Sequence, residues 1–405
     1  MKKTVRITLY LLSMITIFAV VVLIVFRGNQ SHFVSMHGNL TEQGDVVTSN
    51  DDVETGENTG EQGENGSTDI IEQVASGTES GTELVTETET EVNEETVLFF
   101  GGDVLVNKRI ADYYDSEGIT RIVAPELLEE MVNADITMVN HEFQFSNRGT
   151  PMEDKQYTFE YDPSYVTILQ DMGIDVVSLA NNHSLDFGKE ALIDTMETLD
   201  GAGILYAGAG TDKERAEEIQ IIEKNGMKFG FVAATRVIPV ASWNVEYGTP
   251  GLFAAYDYTG LVEVVAEAEE LCDYVTVYIH WGIEREAYPE DYQRDIATRC
   301  INAGADLIIG SHPHVLQGVE YIENVPVFYS LGNYVFNDSL DRTAGVKVIV
   351  QQDGSATYQL LPANTKSSCT ALMDDAGTQN VYQYMNDISF NVSVDGQGYV
   401  TDSEE

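Results

Sequence analysis

Basic residues and cysteines are both scarce in this chain of 405 residues. Lys and Arg number 21 against 67 Asp and Glu, so the formal net charge is −46 at pH 7. Proteins that bind nucleic acids need Lys and Arg to displace phosphate counterions, so this charge excludes nucleic acid as the default partner. Three scattered cysteines, Cys272, Cys300 and Cys369, are too few for a disulfide framework or a Cys-rich zinc site. A buried core must therefore stabilise the fold.

One long apolar run lies near the N-terminus. Residues 7–26 carry no charge and would span about 30 Å as a helix, which matches the thickness of a bilayer core. Three basic residues precede this run and only Arg27 follows closely, so the positive-inside rule predicts a cytoplasmic N-terminus and an extracellular main domain. We expect residues 1–27 to form a short cytoplasmic tip and a single-pass transmembrane signal anchor in the cell membrane. The alternative is a cleaved signal peptide, whose hydrophobic region would be only about 7 to 15 residues long.

Residues 28–95 contain no Lys or Arg and are rich in Asp, Glu, Thr, Ser and Gly. Such a segment cannot bury enough apolar surface to fold, and its like charges repel one another. We predict a disordered acidic stalk that holds the following domain away from the membrane. The alternative is a tail that binds cations or the cell wall.

Short apolar runs alternate with amphipathic stretches from Thr96 onward, as in VLFFGGDV followed by PELLEEMVNA. This alternation is typical of an α/β domain. The later runs VKVIVQQ and ATYQLLP are typical of antiparallel strands. We predict a layered α/β domain with mixed sheets over residues 96–365. Residues 366–405 are predicted to form a C-terminal extension that either completes the sheet, with a final hairpin turning at Asp-Gly, or trails off.

Polar residues recur at the ends of these apolar runs, and five of the seven histidines in the chain lie there. These polar residues are Asp103, Asn140 with Glu142, Asn182 with His183, His280, and His312 with His314, and the fifth histidine is His141, between Asn140 and Glu142. In α/β sheets, the ligand crevice lies outside the C-terminal ends of the strands. Residues two apart in a strand also share one face, so members of a pair can point into one site.

These side chains predict a divalent-metal site. Carboxylate, amide oxygen and imidazole together suit Mn, Fe or Zn. Two ions about 3.5 to 4 Å apart would clamp a phosphoryl or carbonyl oxygen and activate a water molecule. We assign Asp103, Glu142 and His314 to one ion and Asn182, His280 and His312 to the other, with Glu142 as a bridge.

His183 follows a predicted ligand directly, and Asp186 comes three positions later. An imidazole oriented by a carboxylate beside a metal can protonate a leaving group, so we predict His183 as general acid with Asp186 as its partner. The alternative is a histidine that only hydrogen-bonds the backbone.

Further residues near the ligand strands are predicted to bind substrate. Arg148, Lys155 and Arg285 each follow a ligand strand by a few residues and could hold a carboxylate or phosphate, and Asn140 could contribute an amide. The alternative for the three cations is a solvated surface position. His141 alternates with its neighbours in the strand, so we expect it to face away from the site and pack.

Several strings occur together in this order: FFGGDVLVN, VNHEF, GIDVVSLANNHSLDFG, GADLIIGSHPHVLQGVE and VFYSLGNYVF. Over residues 96–365 they resemble the CapA family of poly-γ-glutamate capsule synthesis proteins. The resemblance implies a calcineurin-like metallophosphoesterase-type fold, which is a four-layer α/β/β/α sandwich. It also implies that this domain lies outside the cell and is attached to a membrane anchor. It also implies the same six ligands and general acid. The sequence departs from the pattern at three places. Leu105 stands where the first motif of that fold has a histidine, the Asn140–Glu142 pair replaces a Gly-Asp motif, and His141 stands where an apolar residue is expected. A single metal is therefore the alternative to two.

The resemblance implies a part in making, transporting or tethering an anionic extracellular polymer beside membrane-bound polymer synthase subunits. Three hypotheses follow. The first is a capsule factor with a metal site, as a hydrolase or transferase. The second is a metal-dependent phosphatase or phosphodiesterase acting on an envelope phosphate ester. The third is a non-catalytic scaffold, which has no need of so costly a buried polar cluster. We therefore prefer the first.

Overall fold

The structure is a computed structural model that describes residues 95–336 and 339–403. The predicted anchor and almost all of the predicted stalk lie outside the described residues. Within the described ranges, none of the helices combines the length and the apolar character needed to cross a bilayer.

The described residues form eight α-helices and twenty strands. The helices are α1 (Lys108–Glu117), α2 (Pro125–Val132), α3 (Val166–Asp171), α4 (Lys189–Ala202), α5 (Lys213–Ala216), α6 (Thr259–Leu271), α7 (Asp291–Asn302) and α8 (Asp375–Ile388). The strands are β1 (Thr96–Val104), β2 (Ile136–His141), β3 (Gln144–Phe145), β4 (Glu160–Tyr161), β5 (Val176–Ser178), β6 (Leu205–Ala207), β7 (Ala209–Gly210), β8 (Gln220–Lys224), β9 (Met227–Thr235), β10 (Gly251–Leu252), β11 (Tyr274–His280), β12 (Leu307–Ser311), β13 (Val319–Ile322), β14 (Val325–Phe328), β15 (Asn333–Val335), β16 (Ser339–Val350), β17 (Ala356–Lys366), β18 (Cys369–Leu372), β19 (Val392–Val394) and β20 (Tyr399–Asp402).

Two large sheets contain most of these strands. A ten-stranded sheet has the order β19-β20-β17-β16-β1-β2-β5-β6, with β15 beside β1 and β18 beside β17. A six-stranded sheet has the order β13-β14-β12-β11-β9-β8. Strands β1, β2, β5 and β6 run parallel, whereas β16 pairs antiparallel with β1 and β17 pairs antiparallel with β16. The prediction of a mixed α/β fold is confirmed.

The two sheets pack face to face, which explains why their strands are so apolar. Phe100 and Met138 of the larger sheet share a buried cluster with Phe231 and Tyr278 of the smaller one. The opposite faces are covered by helices, α1 to α4 on the larger sheet and α6 with α7 on the smaller. Strands covered on both faces are continuous apolar runs, and every residue of β11 is buried.

Residues 366–403 add to the ten-stranded sheet. Strand β18 pairs with β17, and the hairpin β19–β20 turns at residues 395–398 and also joins β17. Helix α8 places Tyr382, Met385 and Ile388 in the cluster between the sheets. This part of the predicted C-terminal extension therefore closes one end of the core.

The carboxyl ends of β1 and β2 meet those of β11 and β12 at one edge of the molecule. There the Tyr278 hydroxyl, on β11, donates a hydrogen bond to the carbonyl of Gly101, on β1 (2.8 Å). A Cβ at Gly102 would lie 1.9 Å from the carbonyl oxygen of Gly332. Gly102 therefore lets two backbone segments approach each other.

Candidate metal centre

The predicted ligands converge at the edge where the two sheets meet. Parallel pairing places Asp103 beside Asn140 and, in the other sheet, His280 beside Ser311. Asp103, Glu142 and His280 have no solvent-exposed surface. Strand register therefore sets the positions of these side chains before any ligand is bound.

Two groups of side chains could each hold a cation. Asp103, Glu142 and His314 offer ligand atoms within 4.8 Å of one another, and so do Glu142, His280 and His312. Glu142 belongs to both groups. The amide oxygen of Asn182 lies 2.8 Å from Nε2 of His280, beside the second group. The structure thus brings all six predicted ligands together, with Glu142 between the two groups.

Several polar atoms in this cluster have no hydrogen-bond partner within the described residues. Oδ2 of Asp103, Oε1 of Glu142 and Nδ1 of His312 are buried and accept or donate no hydrogen bond within the described residues. Buried polar atoms without partners are costly and rare. Carboxylate oxygens and imidazole nitrogens are ordinary ligands of divalent metals, so the residues present fit such an ion.

The loop after β12 holds two of the ligands in an uncommon backbone conformation. His312 has φ 98° and His314 has φ 59°, in the left-handed region that residues other than glycine rarely adopt. Such conformations cost about 1–3 kcal/mol each and cluster at functional sites. The surrounding loop therefore stabilises a geometry that the two histidines would not adopt by themselves.

Hydrogen bonds from neighbouring side chains orient the ligands. The Asn140 amide donates to Oδ1 of Asp103 (2.8 Å), and the Asn181 amide donates to the Asn140 oxygen (3.1 Å). Asn333 Oδ1 lies 2.6 Å from Nδ1 of His314. Asn140, predicted to bind substrate, is therefore engaged with a predicted ligand. Asn181 and Asn333 were not predicted, although both lie within the strings ANNH and LGNYVF.

The charges of the cluster shift its pKa values in opposite directions. Burial, followed by the charge of Asp103, raises the pKa of Glu142 well above its usual value. Burial, followed by neighbouring histidines, lowers the pKa of His280 and brings that of His312 to about 4. Burial also opposes protonation of His314, but its contact with the Asp103 carboxylate (Nδ1 to Oδ2, 3.6 Å) and the charge of Glu142 raise its pKa to about 10. The neutral imidazoles of His280 and His312 and the crowded carboxylates favour a bound cation, whereas His314 must lose its proton before it can bind one.

His183 and Asp186 form a hydrogen-bonded pair beside the ligands. Nδ1 of His183 lies 2.7 Å from Oδ2 of Asp186, which also accepts a hydrogen bond from the Phe159 backbone (2.8 Å). Lys155 Nζ pairs with the other oxygen of Asp186 and lies 3.1 Å from Nδ1 of His183. Burial lowers the pKa of both His183 and Lys155, and the Asp186 charge opposes each shift. These contacts orient the imidazole and leave Nε2 without a hydrogen bond within the described residues.

A comparison with protein families decides the family of this site. Residues 97–338 match the family model described as "Bacterial capsule synthesis protein PGA_cap". The chain belongs to this PGA_cap family. The resemblance found in the sequence motifs is thereby confirmed.

Individual relatives of this PGA_cap chain carry matching names. It is 29% identical over 278 residues to "PGA biosynthesis protein CapA" of Bacillus subtilis (strain 168), covering 67% of this chain and 72% of the relative. It is 28% identical over 307 residues to "Capsule biosynthesis protein CapA" of Bacillus anthracis, covering 72% and 73%. Among solved structures, a hypothetical protein from Thermus thermophilus aligns at 13% identity with a TM-score of 0.42, covering 66% of this chain and 99% of that one.

The remaining predicted residues of the PGA_cap site lie in different surroundings. At the surface, Nε of Arg148 donates a hydrogen bond to Oδ2 of Asp194 (2.9 Å). The Arg148 guanidinium is thus paired with a carboxylate of the protein. Arg285 is exposed, and its backbone donates to the Pro313 carbonyl (2.8 Å) beside the ligand loop. His141 is fully buried with its ring 4.0 Å from that of Phe143. Arg285 therefore remains at the rim of the cluster, whereas Arg148 is held by Asp194.

Proposed function

We propose that this PGA_cap chain is a membrane-anchored, extracellular CapA-like factor in poly-γ-glutamate or capsule polymer synthesis, export or anchoring, acting through a divalent-metal site. The names of its Bacillus relatives support the polymer. The observation that carries the metal site is that two ligand groups share Glu142. The charge asymmetry around residues 7–26 supports the anchor. We infer as partners the anionic polymer or its precursor and membrane-bound synthase subunits.

The order of layers supports a more specific fold. Helices, the ten-stranded sheet, the six-stranded sheet and further helices follow one another across the domain. The predicted ligands lie at strand ends. We propose that this is the α/β/β/α sandwich of calcineurin-like metallophosphoesterases.

The chain supplies six metal ligands on this proposal. Asp103, Glu142 and His314 would hold one ion, and Asn182, His280 and His312 would hold a second. A divalent ion in such a site polarises a carbonyl or phosphoryl oxygen and lowers the pKa of bound water. Leu105, at the position of a missing imidazole ligand, keeps a single ion as the alternative.

On this proposal, side chains of the protein supply the proton that the leaving group requires. Asp186 fixes Nδ1 of His183, so Nε2 is the nitrogen that donates a proton. Lys155 pairs with Asp186 from the other side and stabilises its charged form. This pairing is the arrangement expected of a hydrolase or a transferase.

Elemental mass spectrometry on the purified full chain in nonionic detergent tests the metal site. We expect about one or two Mn, Fe or Zn ions per chain. The His312→Ala, His314→Ala double variant should lose them. A matched control is His141→Phe, because this buried histidine lies between two site residues but packs against the ring of Phe143. Its metal content should equal that of the wild type.

Two results would contradict the proposal. One is the absence of metal from the wild type even after reconstitution, and the other is equal metal in the double variant. The capsule role is measured separately, as surface polymer in cells in which the variants replace the wild-type chain. Unchanged polymer in the double variant, with loss when residues 1–27 are deleted, would favour the non-catalytic scaffold.

A second function is favoured by the His183–Asp186 pair. An oriented imidazole beside a metal site suits a phosphatase or phosphodiesterase acting on an envelope phosphate ester. Mn²⁺ or Zn²⁺ should then stimulate release of phosphate from simple esters. The His183→Ala variant should lose this activity while it keeps its metal.

A further inference from the structure

A cavity of about 740 Å³ lies where β16, β17 and β18 meet helix α8. None of the predicted metal ligands lines it. Pockets of about 300–1,000 Å³ are the usual size for binding a small molecule or a few residues of a polymer. The cavity is therefore large enough for a ligand and separate from the metal centre.

Four polar side chains that line this cavity have no hydrogen bond or ion pair within the described residues. They are Arg342, Asn364, Lys366 and Asn380. The Arg342 guanidinium lies 3.8 Å from the centroid of the Tyr384 ring, a cation–π contact that orients it and leaves its N–H groups unpaired. Preoriented donors without protein partners are what a polar ligand requires.

The charge of the cavity lining differs from that of the chain as a whole, because its two basic residues, Arg342 and Lys366, equal its acidic residues in number. Acidic residues outnumber basic ones by 67 to 21 in the whole chain. Among the cavity's acidic residues, Asp374 accepts a hydrogen bond from the Gly377 backbone (2.8 Å) and caps α8. Asp341 is the one cavity carboxylate without a partner in the described part of the chain. The lining is therefore formally neutral in a strongly acidic chain, and its two cations have no ion pair within the described residues.

The types of these side chains indicate the ligand. The planar fork of Arg and the point charge of Lys both bind carboxylates. The amide of Asn offers a donor and an acceptor, which match the C=O and N–H groups of another amide. A ligand that repeats carboxylates and amide bonds satisfies both kinds of group.

We propose that this cavity binds a segment of an anionic polyamide, with carboxylates on Arg342 and Lys366 and amide bonds on Asn364 and Asn380. That the polymer is γ-linked glutamate rests on the proposed function. The Tyr384 hydroxyl, below Arg342, donates to the carbonyl of Leu316 (3.5 Å), two residues after His314. The cavity is thereby connected to the loop that carries two predicted metal ligands.

Binding of a fluorescent poly-γ-glutamate oligomer to the chelator-treated full chain tests this inference. Fluorescence anisotropy at about 0.15 M salt screens long-range repulsion. We expect the Arg342→Gln, Lys366→Gln double variant to raise the dissociation constant about tenfold, since two charge contacts are lost. Both residues are exposed, so the variant should fold as the wild type does.

Arg299→Gln is the matched control, because Arg299, on helix α7, is an exposed arginine whose guanidinium lies 4.5 Å from the centroid of the Tyr258 ring. Its dissociation constant should equal that of the wild type. Absence of binding to the wild type, or equal weakening by the control, would overturn the proposal. Polyacrylate has carboxylates but no amides, and inorganic phosphate has neither. If either competes as well as unlabelled oligomer, the assignment of the amide contacts is overturned.

The test does not depend on the metal centre, because the protein is stripped of metal. Oligomer binding by a chain that takes up no metal would leave this inference standing and contradict the metal proposal. If surface polymer depends on the metal ligands but the wild-type chain does not bind the oligomer, the metal proposal stands and this inference is contradicted.

Discussion

At the scale of single residues, Asp186 shows how one buried carboxylate supports several groups. It accepts a hydrogen bond from the Phe159 backbone and pairs with both His183 and Lys155. None of its side chain is exposed. Removing its charge would leave Lys155 buried without a counter-charge.

Asp186→Asn should therefore lower the free energy of unfolding by about 3 kcal/mol, the usual cost of breaking a buried ion pair from one side. Urea unfolding of the metal-free protein measures it. Asp194→Asn is the control, because its partner Arg148 is mostly exposed and a surface pair contributes little. Equal losses in the two variants would contradict the structural role of Asp186.

Residue types at strand ends made much of the candidate site predictable. Asp103, His280 and His314 are recognisable because histidine and carboxylate pairs follow apolar runs. Asn333 was not recognised, because its importance comes from a contact with His314, 19 positions earlier in the chain. Arg148 was assigned to substrate, yet Asp194, 46 positions away, holds it.

At the scale of elements, strand β1 connects the core to the site. It lies between β2 and β16 and also pairs with β15, so Asp103 is placed beside both Asn140 and Asn333. Gly102 makes this possible by letting β1 approach the backbone of Gly332.

Gly102→Ala should displace β1 from the segment that carries Asn333. We expect a loss of about 3 kcal/mol in the free energy of unfolding, since overpacking of this kind forces backbone shifts. Metal content should fall as well. Gly201→Ala is the control, because a Cβ there meets no atom within 4 Å and Gly201 lies in helix α4. The control should gain about 0.5–1 kcal/mol. If Gly102→Ala leaves the free energy of unfolding unchanged, the close approach of β1 to the Gly332 backbone is contradicted.

The alternation of strands and helices was predictable, because strands covered on both faces are apolar runs and outer helices are amphipathic. The partners of each strand were not. Strand β15 pairs with β1 although more than 200 residues separate them. The sequence allowed a final hairpin after residue 366 but left open whether it completes the sheet, and pairing with β17 and packing at the end of the core decide this.

At the scale of the whole molecule, excess negative charge makes bound cations stabilising. The chain carries a formal net charge of −46, and two carboxylates of the site are fully buried. A ligand that binds only the folded state stabilises it by mass action.

Mn²⁺ or Zn²⁺ at about 100 times its dissociation constant should raise the free energy of unfolding by about 2.7 kcal/mol. Thermal unfolding with and without a chelator measures this difference. The His312→Ala, His314→Ala variant should show no response, whereas His141→Phe should respond as the wild type does. A response of the same size in the double variant would mean that the ions bind elsewhere.

The sequence by itself determined the charge, the mixed α/β class, the family and the chemical types of the candidate ligands. These follow from composition, from the periodicity of apolar residues and from ordered motifs, all of which are local along the chain. Only the tertiary structure decided that Glu142 lies between two ligand groups, that Asp194 holds Arg148, and that Arg342 and Lys366 share a cavity. The physical reason is that distances between remote segments depend on how sheets and helices pack, and side-chain periodicity within one segment contains no measure of them.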